Sequence, residues 1–164
     1  MLVAQISDLH VAEGRELAFN VADGMHLLEK TVAHLTSLPQ QPDCVVVSGD
    51  ISANGQSGGY ALVAEALGTL AMPIYVIPGN HDRRENLVAG LGRYCPADPT
   101  VKPYLCYTVE DFPLRLVFFD GTRPGSHSGH FDAQVAQWLE QTLAAQPERP
   151  TLVFTHHPPF LTAR

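Results

Sequence analysis

A chain of 164 residues with 45% hydrophobic side chains is long enough to bury a core and too apolar to stay disordered. Its formal net charge of -7, with ten Lys and Arg scattered thinly, excludes a surface built to track a nucleic-acid backbone, so no nucleic-acid polymer is expected as partner. No stretch approaches the roughly 20 apolar residues that cross a bilayer. Met1 leads straight into a strand without a basic or apolar leader, so the expectation is a cytoplasmic protein with no membrane partner. Cys44, Cys95 and Cys106 are odd in number and lack CxxC spacing. Cys44 reads as a small buried hydrophobe, and a Cys95–Cys106 bridge is disfavoured without a secretory signal.

Leu2–Ile6 is a short apolar run, read as a buried strand ending in Ser7–Asp8–Leu9–His10. Asp23 can cap a helix reaching Leu38, with Met25, Leu28, Val32 and Leu35 on one face. Val45–Val47 is the most strand-like run, apolar throughout as in a strand covered on both sides, and Ser48–Gly49–Asp50 follows it. Tyr60–Leu70 returns to helix, with Ala61, Ala64, Leu67 and Leu70 facing inward. Pro73 opens a strand over Ile74–Ile77 that runs into Pro78–Gly79–Asn80–His81–Asp82, and Arg84–Gly90 forms a short helix. After a Pro-rich loop, Tyr104–Val109 and Leu114–Phe119 read as an antiparallel hairpin. Asp132–Ala145 is a helix with Val135, Trp138, Leu139 and Leu143 on one face, and Thr151–Thr155 is the last strand, ending at His156–His157–Pro158. The strand–helix alternation predicts one α/β layered domain with a mixed sheet.

Four strand ends thus deliver oxygen or nitrogen donors. In extended backbone, side chains two apart point the same way, so Asp8 and His10 can reach one ion. Asp50 adds a carboxylate whose two oxygens can bridge two ions, and Gly49 before it suits a tight turn close to a ligand. The amide oxygen of Asn80 is a neutral ligand. Adjacent turn residues diverge, so if Asn80 coordinates, His81 turns to substrate near the leaving group, oriented by Asp82 or another acceptor. Of the histidine pair, His156 is assigned to coordination and His157 to supporting the ligands or touching substrate. His26 and His34 read as surface residues of the first helix, and His127 and His130 as ordinary loop histidines. Arg83, Arg84 and Arg123 can contact a phosphate, though surface placement is the simpler reading.

The ordered set Asp8–x–His10, Gly49–Asp50, Gly79–Asn80–His81–Asp82 and His156–His157–Pro158 resembles the calcineurin-like metallophosphoesterases, nearest their class III cyclic nucleotide phosphodiesterase and glycerophosphodiesterase branch. The resemblance implies an α/β (α+β) fold, a layered αββα sandwich with mixed sheets. It also implies two divalent transition metal ions (Fe, Mn, Zn or Co), one on Asp8, His10 and Asp50, the other on Asp50, Asn80 and His156. His81 would lie near the scissile phosphate, and Asn80 and His81 would bind substrate. The family pattern continues to a Gly-His-x-His motif that residues 1–164 lack, so the domain is expected to be incomplete at its C-terminal part, with weakened metal affinity and an exposed face suited to homo-oligomer formation.

The function expected is hydrolysis of a small phosphodiester, such as a 3′,5′-cyclic nucleotide or a glycerophosphodiester, through a metal-bound hydroxide, with His81, Asp82 and His157 assisting. Two alternatives stand beside it: a phosphomonoesterase on the same scaffold, and a weakly active or inactive metal-binding or interaction domain.

Overall fold

The computed structural model describes residues 1–160. The chain runs β1 (Val3–Ile6), α1 (Gly24–Ser37), β2 (Cys44–Ser48), α2 (Ser57–Leu67), β3 (Ile74–Ile77), α3 (Arg84–Leu91), β4 (Tyr107–Val109), β5 (Arg115–Phe118), α4 (Ala133–Ala144) and β6 (Thr151–Phe154). Two three-stranded sheets result, ordered β1-β2-β3 and β4-β5-β6. The first is wholly parallel, because α1 and α2 carry the chain back between successive strands. Only the second is mixed, with β4 antiparallel and β6 parallel to β5, so the expectation of mixed sheets holds for one of the two.

β2 is buried along its whole length, as its unbroken apolar run predicts. One side of the first sheet takes Leu28 and Leu35 of α1, Tyr60, Val63 and Leu67 of α2, and Leu87 and Leu91 of α3. Its other side meets the second sheet: Phe118 lies 5.6 Å from Tyr75 and stacks at 4.5 Å on Tyr107, whose hydroxyl donates to the Val76 carbonyl at 2.8 Å. α4 covers the outer side of the second sheet through a small cluster of Val101, Cys106 and Val135, with Trp138 against it. The layering is therefore α, β, β, α, the arrangement the resemblance implies.

Asp23 caps α1 by accepting from the His26 backbone N–H at 2.9 Å, and Met25, Leu28 and Leu35 are buried on the expected face. The reading of α2 needs correction. The helix begins at Ser57, and its buried face is Gly59, Tyr60, Val63 and Leu67, while Ala61 is exposed. β4 begins only at Tyr107, since the Leu105 N–H is taken by the Asp120 carboxylate rather than by a neighbouring strand. All three cysteines are free and buried. No described helix is long and apolar enough to cross a membrane.

Candidate metal centre

The C-terminal ends of β1, β2 and β3 open on one edge, and the loops leaving them are tied together. Asp8 donates its backbone N–H to the Gly49 carbonyl at 3.0 Å, His10 to Asp50 at 2.9 Å and Val11 to Ile51 at 3.0 Å, so the first two loops pair beyond their strands. Within this pairing Asp8, His10 and Asp50 take left-handed backbone conformations, with φ of 57°, 44° and 50°. The extended geometry expected for Asp8–Leu9–His10 is therefore incorrect, yet the two side chains still converge. Gly49 sits at φ 101°, open only to glycine at low cost, and a Cβ on Gly79 would overlap the Asp50 carboxylate.

Asp50 is buried and central. Its Oδ2 lies 3.6 Å from His10 Nε2 and 3.9 Å from His81 Nε2, and its Oδ1 lies 3.5 Å from His156 Nε2. Asp8 Oδ1 stands 3.9 Å from His10 Nε2. Two donor groups share Asp50, one with His10 and His81, the other with Asp8 and His156, and within each the ligand atoms lie within 4.8 Å of one another. The expected partition set Asp8 with His10 on Asp50, and Asn80 with His156; Asp8 and His10 do stand beside each other, and these groups add His81 beside His10 and Asp8 beside His156. His81 turns its ring toward Asp50, while Asn80 Nδ2 faces His127 Nδ1 at 3.3 Å and its amide oxygen makes no hydrogen bond among the described residues.

The ring orientations test whether a metal fits. A backbone carbonyl can only accept, so His156 donates Nδ1–H to the Ser48 carbonyl at 2.9 Å and His81 donates Nδ1–H to Ala53 at 3.0 Å. On the neutral ring each Nε2 is then a lone pair aimed at a carboxylate oxygen. Lone pairs and carboxylates repel across such gaps unless positive charge, a proton or a metal ion, lies between them. Imidazole, carboxylate and amide oxygen together suit a divalent transition ion, and a carbonyl fixing the far ring nitrogen is the usual support for a ligating histidine. The donor set fits.

Asp82 does not orient His81, and that alternative is corrected: the Ala53 carbonyl holds the ring. The Asp82 carboxylate instead accepts from the backbone N–H groups of Ile51 (3.1 Å), Ser52 (3.0 Å) and Gly79 (2.9 Å) and from the Tyr60 hydroxyl (2.9 Å). Burial pushes its carboxyl above the usual range against the pull of these four donors. It fastens the β2 loop to the β3 loop. His157 packs edge-on against His156 with ring centroids 5.0 Å apart, and neither of its buried ring nitrogens makes a hydrogen bond. Burial, then the neighbouring His156, depresses its basicity.

Three contributors carry no sequence signal read in advance. Phe19 stands edge-on to His10 and His81 at 5.3 and 5.5 Å, half of its surface exposed at the rim. His127, taken as an ordinary loop histidine, lies 5.6 Å from His81. Tyr60 ties α2 to Asp82 and accepts from the Arg83 backbone N–H at 3.0 Å. A histidine between two serines in a Gly-rich loop was the one available hint for His127.

A family model described as calcineurin-like phosphoesterase matches residues 1–163. The chain belongs to that family. Calcineurin-like phosphoesterases use divalent metal ions, and the two donor groups around Asp50 are candidates to hold them. Among similar proteins, a probable glycerophosphodiester phosphodiesterase of Arcobacter nitrofigilis is 36% identical over 159 residues, 97% of this chain and 58% of the relative. A glycerophosphodiester phosphodiesterase of Enterobacter lignolyticus is 35% identical over 97% of this chain and 57% of its own length. The 3′,5′-cyclic adenosine monophosphate phosphodiesterase of Escherichia coli K12 is 24% identical over 96% of this chain and 55% of its own. The chain thus spans little more than half the length of the relatives it matches.

Proposed function

We propose that this calcineurin-like phosphoesterase hydrolyses small phosphodiesters, of the glycerophosphodiester or cyclic nucleotide class, at a centre of two divalent transition ions (Fe, Mn, Zn or Co). The observation that carries the reading is Asp50, a buried carboxylate whose two oxygens face separate sets of imidazole and carboxylate donors. Asp8, His10, Asp50, Asn80 and His156 would hold the ions. Bound there, such ions supply a nucleophilic water at neutral pH and neutralise the phosphate oxygens.

The rest falls to the chain's own side chains. Asp50, through its Oδ1, accepts the His81 backbone N–H at 2.9 Å, and the Ala53 carbonyl anchors His81 Nδ1–H, leaving Nε2 as the proton-carrying atom at the mouth. Protonated there, His81 donates to the departing alkoxide. Asn80 and His127 line the same side and orient the phosphate oxygens. His157, depressed in basicity and packed on His156, stays neutral and limits the motion of its neighbour. Asp82 acts through the loops it fastens. Three free, buried thiols are in keeping with a reducing, cytoplasmic setting.

The test is metal content and turnover of the purified 164-residue chain after loading with manganese or cobalt. Bis(p-nitrophenyl) phosphate should be cleaved faster than p-nitrophenyl phosphate, and Asp50→Ala should lose both metal and turnover. Metal bound with no turnover of either ester would favour an interaction domain, and a monoester preference would favour a phosphomonoesterase.

A further inference from the structure

A cleft of about 360 Å³ opens beside the metal centre, with Asn80 and His81 at its inner end and Arg83, Arg84 and Arg123 along it. Three of the ten basic residues of an acidic chain therefore gather at one place. Their situations differ. Arg84 is committed: Nε donates to Asp120 Oδ2 at 2.6 Å, and Nη2 donates to Asp120 Oδ1 at 3.0 Å and to the Thr122 carbonyl at 2.7 Å, which fixes the loop after β5 as the far wall. Arg83 lays its stem across Gly55, where an added Cβ would come within 2.5 Å of Arg83 Cγ, and its guanidinium has no partner among the described residues. The Arg123 side chain, exposed on the opposite wall, has none either.

The carboxylates nearby do not fully cancel these two charges. Asp82 is turned onto its four donors and Asp120 onto Arg84. Glu85 also lines the cleft, exposed in the first turn of α3, and offsets one of the two charges, so the cleft keeps a positive excess. Neither guanidinium fork has a hydrogen-bonded anion among the described residues, and both stand beside the place where a phosphate would sit. A fork binds a carboxylate or phosphate through two parallel hydrogen bonds, which a neutral alcohol cannot offer and an ammonium group opposes.

We propose that this cleft receives a second anionic group on the substrate, so that the chain prefers phosphodiesters in which one alcohol bears a carboxylate or phosphate over those with a neutral or cationic head. Arg83 and Arg123 are the residues that set this preference. The proposal rests on the phosphodiesterase reading for its substrate class. Each charge-assisted contact supports about tenfold in selectivity, at the low end for hydrogen bonds to ions because the cleft is open to water.

Three glycerol phosphodiesters that differ only in the second alcohol test it: glycolate (anionic), ethanol (neutral) and choline (cationic), followed by phosphorus NMR with the metal-loaded chain. The glycolate ester should show kcat/KM at least tenfold above the choline ester. The ratio should fall toward one in Arg83→Ala/Arg123→Ala and invert in Arg83→Glu/Arg123→Glu. Lys30→Ala, exposed on α1, should keep the ratio, since it alters net charge without touching the cleft. Calorimetry with phosphoglycolate against methyl phosphate, on metal-free and metal-loaded protein, reads the cleft without turnover. Tighter binding of phosphoglycolate that is lost in the double alanine variant supports the cleft even if none of the esters is hydrolysed, in which case the hydrolase reading alone fails. Hydrolysis of all three esters at equal kcat/KM, with phosphoglycolate bound no tighter than methyl phosphate, overturns the cleft and leaves the hydrolase reading standing.

Discussion

Asp82→Asn separates a brace from a catalytic group. The carboxylate takes four donors, two on each oxygen: Ser52 N–H and Tyr60 O–H on Oδ1, Ile51 N–H and Gly79 N–H on Oδ2. An amide keeps one accepting oxygen and turns an NH2 group on the other pair, so two buried donors lose their acceptor. At about 1–3 kcal/mol for each unsatisfied donor, the loss comes to about 4 kcal/mol. For a chain of this size that is a fall in Tm of roughly 8–16 °C. The measurement is urea unfolding of metal-free protein in EDTA, so that lost metal affinity adds nothing. Tyr60→Phe removes one donor and the acceptor of Arg83 N–H, and should cost about 1–2 kcal/mol, giving a milder variant should Asp82→Asn fail to fold. His81→Ala should lose turnover at nearly unchanged stability. An Asp82→Asn protein as stable as the parent but without turnover would refute the brace and return Asp82 to the reaction.

Gly79→Ala drives a methyl group into the Asp50 carboxylate. Saturating manganese at about a hundredfold over Kd should stabilise the parent by about 2.7 kcal/mol, or roughly 5–10 °C by thermal shift; the variant should show little of this, and an equal shift would count against Asp50 as the shared ligand. The thiols of Cys95 and Cys106 are pushed up to about 12 by burial, and Cys44 is raised as well. The native chain at pH 8 should therefore react slowly with a disulfide reagent and show three thiols once unfolded; a fast thiol, or only one in the unfolded chain, contradicts the buried free arrangement. Hydrogen bonds from the Thr100 side chain and backbone, then from the Trp138 indole, hold the Asp98 carboxyl below its ordinary value. A depressed carboxyl stabilises the fold above the unfolded value and loses that contribution as pH falls through the folded one. Fluorescence of Trp138, the single tryptophan, should therefore change below about pH 4, and Asp98→Asn should abolish this step; a step that persists assigns it to another group.

Much of the frame is legible because strands and helices advertise themselves by period. The unbroken Val45–Val47 run marks the central buried strand, and the Met25, Leu28 and Leu35 stripe marks the inner face of α1. The face of α2 is hidden by Gly58 and Gly59, which belong to the helix yet read as turn, so the expected start falls three residues late and the expected face, Ala61 and Ala64, one residue beyond the buried Tyr60 and Val63. The four donor clusters were legible as residue types after strands. Their detailed pairing was not, because it depends on groups without a side-chain identity: the Ser48 and Ala53 carbonyls that fix the rings are backbone atoms any residue supplies. Phe19 and His127 were missed for a related reason. They reach the site through irregular loops, where no periodicity tells which way a side chain turns.

The left-handed conformations of Asp8, His10 and Asp50 explain why a strand-end pattern yields a converging site at all. A side chain following a parallel strand in extended geometry would alternate between the sheet's faces; a left-handed residue instead bends the chain across the sheet's edge and directs its side chain over the strand ends. For a non-glycine residue that conformation costs on the order of 1–2 kcal/mol, less for Asp than for branched side chains, and it persists only where the surroundings fix it. Here four backbone hydrogen bonds between the β1 and β2 loops, and the Asp82 carboxylate gripping the β2 and β3 loops, supply that restraint. The strain is thus held by contacts of the chain with itself: hydrogen bonds that do not need the side chains of Asp8, His10 or Asp50 order the backbone that carries them.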